Sequence, residues 1–330
     1  MKYKNQKFEI MRDGYQKDFL GANHVIELPE PDLALQSDIL RPPGLSEGKT
    51  VVPYIHYSLL MSKSTKQALY SAANVDLNMM ITVPKGKGRK WFYDSRVGKE
   101  NQITNYAYTG TQWDRGHLTR RTAVSWGESE SFVTMASNDS CAYTNTVMQH
   151  ENFNEDEWRA VEELVSKFKI ASRLIVMTGP IFTIADRFFI RNYDDFPVRI
   201  PAAFWKIITY LDSHTNKLST QAYIFFQDIP SVRNSKGRSR LRLKNLQVTT
   251  TEVSQWTGLV FDQKMFDSNP LKFYDGPESI STKAHKALLN KDPQVVTLNE
   301  GLIGEDSIVA ARTKFPLEEF YDLVNEIRWI

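Results

Sequence analysis

Apolar and polar residues fall into short runs through the middle of the chain, and the runs separate into strand-like and helix-like periods. Residues 51–61 and 68–76 read as two strands. Residues 105–113 alternate and predict a further strand, with Asp114-Arg115-Gly116-His117 at its end or in the bend after it. The apolar run 174–177 before Thr178 predicts a central strand buried on both faces, and 204–211 and 221–226 predict two more. Between these lies one helical period. Trp158, Val161, Leu164, Val165 and Phe168 recur three or four apart, behind Asn154 as an N-cap and a first turn rich in acidic residues. Thr249 and Glu252 form a capping-box pattern that opens a short helix through Trp256. Past residue 266 the pattern predicts a strand at 308–311 and a terminal helix over about 317–327.

The chain of 330 residues, 41% apolar and 12% aromatic, is long enough to bury a substantial core. Its net charge of +2 gives no global basic field, so any nucleic-acid footprint must be local. A single cysteine, Cys141, excludes an intrachain disulfide and reads as a packing residue. The first residues carry no apolar signal segment and no stretch approaches a membrane span, which sets the expectation of a cytoplasmic protein with no membrane partner. Residues 1–50 read as an ordered arm packed on the core.

The chemistry concentrates in two places. Near neutral pH the imidazole of His117 can take a proton from water and return it, which suits a general base. The plainer alternative is a structural histidine at a strand end beside a surface Asp-Arg pair. On the predicted helix, Asn154 and Glu162 stand about 12 Å apart along the axis, at about 1.5 Å per residue. One can ligate a metal ion directly while the other holds its water shell, an arrangement Mg²⁺ tolerates because it keeps several waters.

Basic residues gather around these positions. Residues 85–94 form a glycine-rich basic loop entering a strand, suited to a phosphate backbone or to a solvated hairpin tip. Arg120 and Arg121, just past His117, are candidate phosphate clamps or members of surface ion pairs. Arg238, Arg240, Arg242 and Lys244 alternate, so an extended chain would set all four on one face, either to track phosphates or to protect a sheet edge. His56 reads as a structural residue.

Taken together, the motifs resemble the DNA/RNA non-specific endonuclease family, which includes secreted bacterial nucleases and mitochondrial endonuclease G. The resemblance rests on Asp114-Arg115-Gly116-His117, on Asn145, Gln149, Phe153-Asn154, Trp158 and Glu162, and on Thr178-Gly179-Pro180. It continues through Ile200-Pro201-Ala202-Ala203-Phe204-Trp205-Lys206 and closes at Thr257-Gly258-Leu259. It covers about Val51 to Phe261. One departure is Met148, where relatives carry proline before the position of Gln149.

The resemblance implies an α+β ββα-metal nuclease fold, with a central, mostly antiparallel sheet flanked by helices. The implied organisation is an arm over 1–50, an endonuclease domain over 51–265, and an extension over 266–330 belonging to the same domain. The implied activity is metal-dependent, sugar-non-specific phosphodiester hydrolysis of DNA and RNA, leaving 5′-phosphates. His117 is the base, Asn154 the Mg²⁺ ligand with Mn²⁺ as a substitute, and Glu162 the holder of metal-bound water. An arginine shares the transition-state charge: Arg89 matches best, Arg96 is the alternative, and Arg115 is a further phosphate contact. Asp114, Arg120, Arg121, Asn145, Gln149, Arg240 and Arg242 complete the expected nucleic-acid site. A homodimer, and an inhibitor or activating partner that protects the cell, are further expectations. The competing functions are a binding module that has lost cleavage and a phosphodiesterase for small nucleotides.

Overall fold

The computed structural model describes residues 12–83, 90–184, 186–192, 195–227 and 247–269. Expected features at Arg89, at Arg238, Arg240, Arg242 and Lys244, and at 308–311 and 317–327 lie outside the described residues.

In chain order the strands begin with β1 (Glu30–Pro31), β2 (Val51–Pro53), β3 (Tyr57–Met61) and β4 (Ala68–Asp76). The hairpin strands β5 (Trp113–His117) and β6 (Thr146–His150) follow, with helix α1 (Glu130–Asp139) between them. A short helical turn α2 (Glu151–Phe153) passes through a π-helical turn, Asn154–Trp158, into α3 (Arg159–Ser166). Then come β7 (Arg173–Ile181), β8 (Phe188–Phe189), β9 (Val198–Arg199), β10 (Ala203–Leu211), β11 (Leu218–Phe226) and β12 (Gln247–Val248). The described chain closes with α4 (Thr250–Thr257), β13 (Leu259–Val260) and α5 (Gln263–Asp267).

Seven strands form one sheet in the order β12-β11-β10-β7-β4-β3-β2, and every neighbouring pair is antiparallel. The central strands β4, β7 and β10 are almost wholly buried, because both faces of the sheet are covered. This is why β7 and β10 carry apolar runs such as 174–177 and 207–208 on successive residues, on both faces, instead of strict alternation. One face carries Val75, Val176, Phe204, Ile208 and Phe225 against Phe153, Trp158, Val161 and Val165 of the helix. The other carries Ala72, Met177, Trp205, Ile207 and Ile224 against Leu20 and Ile26 of the arm and Val253, Phe261 and Met265. Gly179 stands opposite Trp205 in the β7–β10 register, and a methyl group there would meet the indole and the Leu69 carbonyl.

The arm is tied to the core by polar contacts as well. Arg12 forms an ion pair with the buried Asp139 at the end of α1, and the Gly14 amide donates to the Tyr54 carbonyl at 3.0 Å. The capping box at Thr249 and Glu252 is present, with both reciprocal bonds. Cys141 is fully buried and in no disulfide.

Three sequence expectations need correction. Residues 51–61 are two strands, not one: the chain turns at 54–56, where His56 adopts φ 69°. There its ring stacks on Trp126 at 3.5 Å and bonds the Trp126 carbonyl at 3.0 Å. Residues 105–112 are not a strand, and only Trp113 of the expected run belongs to one, β5. They form a 3-10 turn at Asn105–Ala107 and further turns, closed by Thr111, whose hydroxyl bonds the carbonyls of Ala107 and Tyr108. Asp114-Arg115-Gly116-His117 therefore lies within β5, not in a bend after a strand. Finally, the helix begins at Glu151, capped by the His150 ring, so Asn154 sits inside the helix and is not its cap.

Candidate active site

The site is built on the β5–β6 hairpin, which stands apart from the seven-stranded sheet. Its register sets Asp114 opposite Gln149, Gly116 opposite Val147 and His117 opposite Thr146. Two glutamines complete the outer edge of β6. Gln67 Oε1 accepts from the Met148 amide at 3.4 Å, and Gln227 Oε1 accepts from the His150 amide at 3.0 Å. Gln227 Nε2 donates in turn to the carbonyls of Met148 and Pro201 at 3.1 and 2.7 Å. Side-chain amides thus take the place of a third strand.

Gly116 has its own reason to be glycine. Its φ is not positive, so no turn requires it. The fully buried Gln149 side chain crosses directly over it, and a Cβ there would overlap that carboxamide. Gln149 has no hydrogen-bond partner for Oε1 or Nε2 among the described residues.

Alternation along β5 sends Trp113, Arg115 and His117 to one face and Asp114 and Gly116 to the other. On the first face the Trp91 ring lies 4.9 Å from the His117 ring. The Arg115 guanidinium is stacked between Trp91 and Tyr108, at 5.4 and 5.5 Å, and bonds the Asn105 side-chain oxygen. Arg115 is therefore turned away from Asp114. Beyond His117 the strand end is locked by Asn145. Its Oδ1 accepts from the Thr119 amide, and its Nδ2 donates to the carbonyls of Thr119 and Ser140, each at 2.9 Å.

On the other face the hairpin meets the helix. Phe153 and Trp158 anchor the helix by packing on Phe204 at 5.5 and 5.4 Å, with Trp158 edge-on to Phe225. That anchoring presents Asn154 to β5, where its Nδ2 donates to Asp114 Oδ2 at 2.9 Å. With its nitrogen committed, the carboxamide offers its oxygen to a ligand. Further along, Glu162 pairs with Arg120 at 3.3 Å. Burial raises the Glu162 pKa from the ordinary carboxylate value, opposed by the charges of Lys206 and Arg120 and by the nearby Trp158 indole. Glu162, Arg120, Thr119 and Lys206 line one pocket together with Leu118 and Val165.

Lys206 was not singled out by sequence reasoning. It is buried in the middle of β10, its Nζ 2.9 Å from Thr178 Oγ1 and 4.5 Å from the Trp158 ring centre. Burial lowers its pKa to about 8, against the opposing pull of Glu162. The available signal is one lysine inside a nine-residue strand that is otherwise apolar or uncharged. Trp91, beside the imidazole, carries no such signal.

The structure thus brings Asp114 to Asn154 and Arg120 to Glu162, and sets His117 and Arg115 together against Trp91. Asn145 and Gln149 are wholly buried and offer no surface to a nucleic acid. Arg121 opens the 3-10 turn Arg121–Val124. Arg96 is buried, with its guanidinium on Asp94 at 2.6 Å and on the Pro53 carbonyl at 2.9 Å. It is thereby removed as the alternative to Arg89, because a phosphate could reach it only by breaking a buried ion pair.

A divalent cation can be tested against these residues. No three His, Cys, Asp or Glu side chains converge as a metal cage among the described residues. The donors present are hard oxygens, one of them a carboxamide oriented by a carboxylate. That set fits a cation which keeps most of its water, as Mg²⁺ does.

Residues 36–268 match the family described as DNA/RNA non-specific endonuclease. The chain is 29% identical over 288 residues to the uncharacterized protein y4fB of Sinorhizobium fredii (strain NBRC 101917 / NGR234), covering 81% of this chain and 41% of that protein. The chain therefore spans less than half the length of this relative. Among solved structures it is similar to a chain of the EndoG/EndoGI complex, which describes the mechanism of EndoG inhibition. The TM-score is 0.52 at 18% identity, over 68% of this chain and 88% of that one, a likeness of fold. The antiparallel sheet with its few helices is the α+β architecture expected of a ββα-metal nuclease. No helix among the described residues is long and apolar enough to cross a membrane.

Proposed function

The chain belongs to the DNA/RNA non-specific endonuclease family, and from that premise we propose that it is a metal-dependent endonuclease that hydrolyses phosphodiester bonds of both DNA and RNA. The observation that carries this reading is the Asp114–Asn154 hydrogen bond, which joins the histidine-bearing hairpin to the helix that bears Glu162. A strand and a helix are thereby fixed against each other at the point where a phosphate must meet a base and a cation.

In this reading His117 Nδ1 or Nε2 takes a proton from the attacking water, and the imidazole is held against Trp91 while it does so. Asn154 Oδ1 is the direct ligand of a Mg²⁺ ion, with Mn²⁺ as a substitute, and Asp114 fixes which end of the carboxamide faces the ion. When bound, the ion supplies electrostatic stabilisation to the scissile phosphate and the leaving 3′-oxygen. Glu162 orients water around that position. Arg120 and Lys206 offset the cost of burying its carboxylate. Asn145 and Gln149 act from behind: Asn145 holds the strand end after His117, and Gln149 fills the space over Gly116. Arg115, Arg120 and Arg121 are the described cations nearest the base in sequence, and Arg89, Arg240 and Arg242 keep the phosphate-binding parts that the sequence assigns them. The arm, the domain over 51–265 and the extension over 266–330 are read as one unit. A protein inhibitor is the partner class suggested by the fold's likeness to EndoG, whose complex with EndoGI is known, and a homodimer remains part of the reading.

The test is digestion of supercoiled plasmid and of single-stranded RNA with Mg²⁺, with and without chelator. Cleavage of both that stops on chelation is the expected result. Cleavage of neither, by folded protein with Mg²⁺ or Mn²⁺, overturns the proposal.

A further inference from the structure

The β8–β9 hairpin and the segment leading into it carry three of the six exposed large apolar side chains among the described residues. Ile184 is 74% exposed, Phe188 58% and Ile190 53%. Phe188 and Ile190 are exposed, while Phe189, between them, is half-buried. It packs with Val198 and Ile200 on Trp113 and Met148 of the catalytic hairpin. The exposed side is therefore rigidly referenced to β5, and is not the tip of an independent loop.

Two arginines flank it. Arg187 lies over the Trp113 ring at 5.9 Å, and Arg191 bonds the Thr109 carbonyl in the turn that leads into β5. Asp186, just before β8, is buried and taken up by Thr183 and Arg199. Asp195 accepts from Asn192 at the far end of the hairpin.

Trp113, Arg115 and His117 succeed one another on a single face of β5, about 6.6 Å apart at about 3.3 Å per residue. Arg187 stacks at the first of these positions, the Arg115 guanidinium stands at the second and the imidazole at the third. Two arginines thus lead along β5 toward His117, and the exposed Phe188 is the chain neighbour of the outer one. A cationic line that ends in an aromatic face is how single-stranded nucleic acid is held: phosphates follow the charges and a base stacks on the ring.

We propose that Phe188, with Ile190 beside it, is a base-stacking platform for a single-stranded segment of the nucleic-acid substrate, placed a few nucleotides from the cleaved bond. This rests on the nuclease reading above and adds a preference to it. A duplex keeps its bases stacked on one another and cannot use the ring, so the platform favours single strands, frayed ends and unpaired loops.

The experiment measures binding, not cleavage. Full-length His117→Ala protein is titrated with a fluorescein-labelled oligo-dT and with a hairpin duplex of similar length, in chelator. Adding Phe188→Ala should weaken oligo-dT binding by about tenfold, within the range for loss of one stacked base. Duplex binding should change less than about twofold. Phe188→Trp should restore oligo-dT binding, whereas Phe188→Leu, which keeps an apolar side chain without a stacking face, should not. A circular dichroism melt within a degree or two of the parent shows that the fold is intact, as expected for an exposed side chain. Unchanged oligo-dT binding in Phe188→Ala overturns the platform and reassigns this apolar face to a protein partner. Equal weakening on both nucleic acids also overturns it, because the effect is then on the backbone and not on a base. If the parent binds neither probe and cleaves neither DNA nor RNA, the nuclease reading itself has failed, and that result is separate from the others.

Discussion

The seven-stranded sheet and the β5–β6 hairpin are both largely buried, yet they are held in different ways. In the sheet, nine-residue strands such as β10 are fixed by apolar burial on both faces, with the ladder satisfying the backbone. The hairpin has five-residue strands and only one ladder. Its free edge is closed by Gln67 and Gln227, its end by Asn145, and its contact with the helix by Asp114 and Asn154. Apolar burial is tolerant of direction, whereas hydrogen bonds specify it. A large sheet held by area therefore supplies stability, and a small hairpin held by directed polar bonds supplies position.

This contrast can be broken most sharply at the proposed base. His117→Ala should lower turnover on plasmid DNA by about 10²- to 10⁴-fold while leaving the melting temperature nearly unchanged. A variant that digests plasmid at the wild-type rate would remove His117 from the mechanism. The reverse case is Ile207→Ala, in the middle of β10 and fully buried. It should cost about 2–5 kcal/mol in urea unfolding, with turnover per folded molecule unchanged. A fall in turnover of the folded fraction would show that sheet and hairpin are not separable.

The smallest effect sharpens the comparison where the two regions touch, at Lys206. Its folded pKa is lowered from 10.5 to about 8 because burial disfavours the charged form. Folding therefore gains most when the amine is neutral, above its unfolded pKa. That gain is lost as pH falls from about 10.5 to about 8, and is constant below. Lys206→Met removes the titration. The stability difference, wild type minus variant, should rise by about 1–3 kcal/mol from pH 8 to pH 10.5 in paired urea titrations. A flat difference would place the ammonium in a solvated site.

Much of the sheet was legible because burial on both faces leaves continuous apolar runs, as at 174–177 and 204–211. The capping box at Thr249 was legible because it is local, contained in four residues. The turns at 54–56 and 105–111 were not, since alternation alone cannot distinguish a strand from turns whose side chains are buried by other parts of the chain. The residues used in the proposed mechanism, His117, Asn154 and Glu162, were singled out by residue type and motif resemblance, but their partners were not. That Asp114 meets Asn154, a bond between residues 40 apart in sequence, depends on helix packing against the still more distant Phe204. Lys206 went unremarked because a lone charge in an apolar run is most easily taken as part of the strand. The reason for Gly116 was hidden for a similar cause, since the side chain that requires it, Gln149, comes from the facing strand.

The π-helical turn at Asn154–Trp158 has a consequence for angle as well as for shape. In a regular α-helix, residues eight apart are swung about 80° around the axis, at about 100° per residue. Asn154 and Glu162 would then look in different directions. A π turn takes up one more residue than an α turn, so the two are spaced in phase as if seven residues separated them, an offset of about 20°. The wide turn thus works as a phase corrector: one extra residue rotates the far half of the helix until its carboxylate faces the same side as the carboxamide. A helix without that turn would need one residue fewer between the two to achieve the same alignment.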